Sequence, residues 1–147
     1  EIQQLDEMGF EFDSSIFPSY RPGVYSNLDV PLSPYRPEGS ERLVEYPIGA
    51  LPKIRVPLSQ SYLKLFGRPY LWVLKRIALP EILIFDSHLQ DFYQTASHNQ
   101  LDVPLRQIHQ RNLGVSVELF QSLTRILRGK GYKFVKMSDI HDRIDYR

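Results

Sequence analysis

Eight of the chain's eleven prolines fall between residues 16 and 57, and that density decides what this part of the chain can become. Each proline lacks an amide donor and clashes with the preceding helical turn, so neither a continuous helix nor a central strand can run through the stretch. Tyr20, Tyr25, Tyr35 and Tyr46 are interleaved with the prolines. That much aromatic surface argues against a disordered linker. The segment is predicted to be an ordered, extended excursion, with Leu43-Val-Glu-Tyr46 and Lys53-Ile-Arg-Val56 as its strands, each closed by a proline.

Regular elements are expected on either side. Glu1-Ile-Gln-Gln-Leu-Asp-Glu-Met8 carries Ile2, Leu5 and Met8 at three-residue spacing and reads as a helix already under way, stopped by Gly9. The expectation is a chain that begins in the middle of a domain. Phe10-Glu-Phe12 then alternates like a short strand. Ser59 is placed to cap a helix through Tyr62, Leu63, Leu65 and Phe66 that Gly67 ends, and Tyr70 to Ile77 forms a second. Residues 89 to 113 are polar, with a helical turn near Leu105 to Gln110. The strongest periodicity follows: Leu119, Phe120, Leu123, Ile126 and Leu127 lie on one helix face, which is core. Tyr132-Lys-Phe-Val135 is predicted as a strand, and Ser138 as the cap of a last helix carrying Ile140 and Ile144. This alternation of strand and helix predicts an α/β fold with parallel strands in a single domain, residues 1–147.

Composition narrows the partners. With 18 basic and 17 acidic residues mixed along the chain and a net charge of +1, no block would bind a phosphate backbone or an anionic lipid surface by charge alone. Nucleic acid and membrane are therefore not expected partners, no apolar run reaches bilayer length, and the compartment leans toward the cytoplasm without being fixed. The absence of cysteine excludes disulfides, thiolate metal sites and cysteine nucleophiles.

Chemistry points to Pro80-Glu-Ile-Leu-Ile-Phe-Asp-Ser-His-Leu-Gln-Asp-Phe92, a short apolar run that delivers His88 just past its end. The C-terminal edge of a strand is where α/β proteins place reactive groups. The alternative is a strand-end histidine that satisfies a backbone group. Asp13 has two readings as well, a working carboxylate or an Asx-type cap over Ser14 and Ser15. Tyr20, Tyr25, Tyr35 and Tyr46 form either a sugar-stacking wall or the packing of the proline-rich loop. His98 reads as solvated loop, His109 and His141 as surface positions, and Trp72 as core.

Four stretches, taken in order, carry a resemblance. Leu5-Asp-Glu-Met-Gly-Phe-Glu-Phe-Asp-Ser-Ser-Ile-Phe-Pro18, Glu45-Tyr-Pro47, Ile84-Phe-Asp-Ser-His88 and Gly131-Tyr-Lys-Phe-Val-Lys-Met-Ser-Asp-Ile140 together resemble the C-terminal half of a polysaccharide deacetylase of carbohydrate esterase family four. The resemblance implies a partial deformed (β/α) barrel and a metal-dependent carbohydrate N-deacetylase with a carbohydrate substrate. In that family a divalent metal such as zinc is held by an aspartate and two histidines, and polarised water attacks an N-acetyl carbonyl. His88 matches the late-strand histidine that acts as the acid, and Asp13 the aspartate that helps orient an arginine near the base.

The departures are as informative. The family's Thr-Phe-Asp-Asp motif and its His-x-x-x-His pair do not occur here, so no metal is expected in this chain and the chain alone is expected to be inactive. Arg21-Pro22-Gly23 imitates the family's arginine-proline motif but follows the Asp-Ser-Ser element instead of preceding it. Leu89 and Gln90 stand where many relatives have proline or tryptophan. The rival reading is a non-catalytic carbohydrate-binding or self-associating module derived from that fold, a homo-oligomer formed through the open side of an incomplete barrel.

Overall fold

The computed structural model describes residues 2–103 and 105–143, without the side chains of residues 2, 3 and 105. Along the chain the elements run α1 (Ile2–Glu7), β1 (Phe12–Asp13), β2 (Tyr20–Arg21), β3 (Tyr25–Ser26), β4 (Val44–Glu45), α2 (Gln60–Phe66), α3 (Arg68–Arg76), α4 (Ala96–Asn99), α5 (Leu105–Gln110), α6 (Ser116–Gly129) and α7 (Met137–His141). Helices are thus mixed with two small two-stranded sheets, and the described residues close no barrel. They cluster into two compact units. One holds residues 2–57, 80–84 and 133–143, the other residues 58–79, 85–103 and 105–132. No helix among the described residues is long and apolar enough to cross a membrane.

The spine of the first unit is the segment from Leu43 to Leu51, in which every residue is buried. β4 pairs in parallel with β1, setting Phe12 beside Val44 and Asp13 beside Glu45. On its other side Tyr35 and Glu45 exchange both backbone hydrogen bonds, at 3.0 and 2.9 Å. Farther along, Ile48 bridges Ile84 in parallel. A strand segment with neighbours on both sides and no exposed face reads as a continuous buried run, which is why Leu43-Val-Glu-Tyr46 was visible as a strand. β2 and β3 form an antiparallel hairpin around Pro22-Gly23-Val24, with Gly23 at φ 71° supplying the left-handed backbone the turn needs. The decoy motif Arg21-Pro22-Gly23 is therefore a hairpin turn.

Three expectations fail in this unit. Lys53-Ile-Arg-Val56 is a tight loop: Lys53 and Arg55 have φ of 70° and 55°, the Leu51 amide donates to the Val56 carbonyl at 2.9 Å, and Ala50 bridges Pro57. Closing the chain between residues 51 and 56 outweighs a four-residue alternation of apolar side chains. Tyr132-Lys-Phe-Val135 forms no strand either, and Phe134 and Val135 are exposed. The cap of α7 is Lys136, with Ser138 inside the helix. Ile144 lies outside the described residues.

The second unit is helical. α2 and α3 both pack on α6, and Leu63, Leu74 and Leu123 are completely buried at their contacts. The expected stripe of α6 is core at Leu119, Leu123 and Leu127, while Phe120 turns toward Phe85 and Phe92, its ring centroid 5.6 and 5.7 Å from theirs. Gly67 ends α2 and caps α3 in one residue at φ 62°, and a Cβ there would meet Asn112 Nδ2 at 3.0 Å. Only glycine satisfies both the backbone angle and the close approach. Trp72, expected in the core, is 59 % exposed on α3, with the Arg76 guanidinium 3.8 Å over its ring. The helix presents Leu71 and Leu74 inward instead, so position 72 faces out. The strand expected to end near Asp86 shrinks to single parallel bridges, of which Asp86 makes the one to Ser59.

Candidate functional site

His88 sits where the sequence places it, directly after the extended segment that ends at Asp86, as the N-cap of a 3₁₀ turn, Leu89–Asp91. Its side chain is 60 % exposed. Two carboxylates stand near one of its nitrogens: Asp86 Oδ2 and Asp91 Oδ2 are each 3.8 Å from Nδ1. At that length they act through their charge and not as hydrogen-bond acceptors. Asp91 Oδ2 also accepts the His88 backbone N–H at 3.0 Å, so the same oxygen fixes the backbone and faces the ring.

Asp91 is itself almost fully buried, as is Lys64 of α2, whose Nζ lies 3.2 Å from Asp91 Oδ1. Ser61 donates to that oxygen at 2.7 Å, and Lys64 also donates to the His109 carbonyl at 2.9 Å. Behind them, Ser116 Oγ donates to the Asp91 carbonyl at 2.6 Å and Gln60 Nε2 donates to Ser116 Oγ at 2.6 Å. Burial opposes ionisation of Asp91 most strongly, but the hydrogen bonds from Ser61 and the His88 N–H and the charge of Lys64 together outweigh it and hold its carboxyl below the usual range. A buried pair of this kind persists because each charge is neutralised and each remaining donor is matched.

The other expected site residues belong to the first unit. Asp13 ends β1 beside Glu45, and its Oδ1 accepts the Ser15 hydroxyl at 2.8 Å, while the Ser14 hydroxyl donates to the Tyr46 carbonyl at 2.7 Å. Glu45 is 2 % exposed and its Oε1 accepts the Ile16 N–H at 3.0 Å. Burial chiefly, with the neighbouring charge and hydrogen bond of Asp13, pushes the Glu45 carboxyl up against the opposing amides of Ile16 and Ser15. Asp13 and Glu45 are thus two acids in contact, one reachable from solvent and one not.

The tyrosines do not form one wall. Tyr46 is fully buried, edge-on to Phe12 at 6.3 Å, with its hydroxyl 3.3 Å from His141 Nδ1, so its ring offers no face to a sugar. Tyr35 is half-buried at the edge of β4, where burial first, and then Glu45 and Asp29, push its hydroxyl up. Tyr25 stacks on Phe17 at 6.3 Å. Tyr20, by contrast, stands 57 % exposed on the hairpin.

His98 is a correction: it is buried in α4, with Nδ1 accepting the Thr95 N–H at 3.1 Å, and is no solvated loop residue. Four residues of these arrangements were not singled out in the sequence as functional: Lys64, Asp86, Asp91 and, as a buried acid, Glu45. Only Asp91 left a usable signal, an acid three residues after a residue that begins a turn. Lys64 looks like a solvated helix lysine until the fold surrounds it. Among the described residues no three of His, Asp and Glu are grouped to hold a metal ion. Comparison with models of known protein families, with curated proteins and with solved structures finds no match to this chain.

Proposed function

We propose that this chain is part of a metal-dependent carbohydrate N-deacetylase, built on a partial deformed (β/α) barrel of the polysaccharide deacetylase type, in which His88 returns a proton to the leaving amine. The observation that carries the reading is an exposed imidazole at the end of an extended segment, with two carboxylates 3.8 Å from its Nδ1. An imidazole can both accept and donate a proton, which is what an acid for a leaving amine has to do. Parallel pairing of β1 with β4, which brings two quoted family stretches side by side, supports the same reading. So does the order of the four stretches along the chain.

The residues described do not fit the family's metal: no suitable group of ligands is present among them, and the family's metal-binding motifs do not occur in the sequence. The metal and the base are assigned to polypeptide outside this sequence. The chemistry of this chain's own residues is confined to orienting and transferring a proton at His88.

The test is to express the entire reading frame that encodes these residues and to measure acetate released from N-acetylglucosamine oligomers with a divalent metal supplied. Acetate release is expected, falling by roughly 10²-fold or more in His88→Ala, the usual contribution of a general acid. No release from the metal-supplied protein, or an undiminished rate in His88→Ala, overturns the reading.

A second reading, a carbohydrate-binding module without catalysis, is favoured by the hairpin, where Tyr20 and Val24 are both exposed. An exposed tyrosine face is suited to the C–H face of a pyranose. Chitooligosaccharide binding that is lost in Tyr20→Ala, with no acetate released by the full reading frame, selects this reading.

A further inference from the structure

Where α2 gives way to α3, the second unit opens a cleft of about 400 Å³, lined by residues from that junction and by residues between Arg111 and Ser122. A concavity of this size suits a small organic molecule. Neither His88 nor the two carboxylates near it line the cleft. Leu71 and Leu119 give it buried apolar surface, while Phe66 and Val115 stand in it 44 and 42 % exposed. Its walls are fixed in advance. Gly67 closes α2 by donating its amide to the Leu63 carbonyl at 2.8 Å, and the Phe66 ring is held between Tyr62 and Tyr70, with centroids 6.2 and 5.7 Å away. From the facing segment Asn112 Nδ2 donates to the Lys64 carbonyl at 2.7 Å, which ties the chain beside Arg111 to the helix that leads to Arg68. A site built before its ligand arrives loses less freedom on binding.

We propose that this cleft binds a small organic monocarboxylate, with its apolar or aromatic body against Phe66 and Val115 and its carboxylate on Arg68 and Arg111. The charges decide the class of ligand. Both arginines line the cleft, both are exposed, and neither guanidinium has an ion pair or a hydrogen bond among the described residues. A guanidinium presents a planar fork of donors that matches a carboxylate, and a charge-assisted bond of this kind is stronger than one between neutral groups. The one acid in the lining is Glu118, which lies in the first turn of α6, where the helix start favours a negative charge. Two guanidiniums against one carboxylate leave the lining with a single net positive charge, which a monoanion balances and a dianion exceeds. The apolar part of the ligand follows from Phe66 and Val115, since partly wetted apolar side chains in a concavity gain by being covered. The site is independent of the reading of His88 as a proton donor.

The test is an NMR titration of the ¹⁵N-labelled chain with cinnamate, an aromatic monocarboxylate, and with cinnamamide, its neutral counterpart. Cinnamate is expected to bind with a dissociation constant of about 1 mM or tighter and to shift the amides of residues that line the cleft. Loss of the ligand's charge in cinnamamide, or of one guanidinium in Arg68→Gln or Arg111→Gln, is expected to weaken binding by roughly 10-fold, as the loss of a charge-assisted hydrogen bond does. Glu118→Gln removes a like charge and is expected to tighten it, a direction that a merely structural role for Glu118 would not produce. All three substituted side chains are exposed, so the variants are expected to keep the fold, and the same spectra check it. No saturable binding of cinnamate overturns the proposal. So do equal affinity for the amide, unchanged affinity in both arginine variants, or shifts that fall outside the cleft.

Discussion

Asp6, on the short helix α1, organises a loop far from it in sequence. Its Oδ1 accepts the backbone amides of Arg42 and Leu43 at 3.1 and 2.9 Å and the Ser40 hydroxyl at 3.2 Å, and its Oδ2 accepts the Glu41 amide at 3.0 Å. Those donors deliver the chain into β4, so the placement of the buried spine begins at a carboxylate. The Glu41 and Leu43 amides, with smaller help from Arg42 and Ser40, lower the Asp6 carboxyl from an ordinary 3.8 to about 2, against a modest opposing cost of burial. The folded state therefore binds this proton less tightly than the unfolded state. The stabilisation is fully present above pH 3.8 and is lost as the pH falls through about 2. Asp6→Asn retains one acceptor oxygen but turns the other into a donor facing amides. Its urea midpoint is expected to lie below that of the wild type at neutral pH, with the gap closing as the pH falls toward 2. A gap of constant size across that range would assign the loss to shape and not to charge.

At the scale of elements, the longer helices were legible and, apart from the buried run around β4, the strands were not, and the reason is how far each signal extends. α6 repeats its apolar positions over fourteen residues, and α2 is bracketed by Ser59 and Gly67, so periodicity and end signals reinforce one another. The strands are pairs of two residues, too short for alternation to be counted. Lys53-Ile-Arg-Val56 has the right residue types, yet its fate was set by a backbone closure that no local pattern encodes. The candidate site divides in the same way. His88 was legible because position after an apolar run is a sequence property. Its supports were not, because the burial of Lys64 and Asp91 is created by helices that meet only in the fold. Leu123 provides the element-scale test, since it is 1 % exposed on α6, the helix on which both α2 and α3 pack. Leu123→Ala removes buried methyl groups and leaves a cavity that rigid helices cannot close, and an expected loss of about 2–5 kcal/mol follows. Chemical denaturation followed by far-UV circular dichroism measures it; a loss under about 1 kcal/mol means that the helices collapse onto the gap.

For the molecule as a whole, the decisive quantity is how many of its acids and histidines remain available to a metal. The two carboxylates nearest His88 are not equivalent. Asp91 already receives a lysine, a serine and a backbone amide, so moving it onto a cation would leave Lys64 buried without its charge partner. Asp86 and His88 alone make two ligands, and a tight zinc site takes three or four in a fixed geometry. Asp13 and Glu45 form a second pair, but Glu45 is buried with its Oε1 already accepting the Ile16 N–H, and two carboxylates are again too few for a tight site. Zinc added to this chain is therefore expected to leave its thermal unfolding unchanged. A ligand present at 100 times its dissociation constant would stabilise the folded state by about 2.7 kcal/mol, which for a chain of this size raises the melting temperature by roughly 5–10 °C. A rise of that order with zinc, reversed by a chelator and abolished in His88→Ala, would mean that this chain builds a metal centre of its own. The partition of the proposed active site, with proton transfer here and the metal in other polypeptide, would then have to be abandoned.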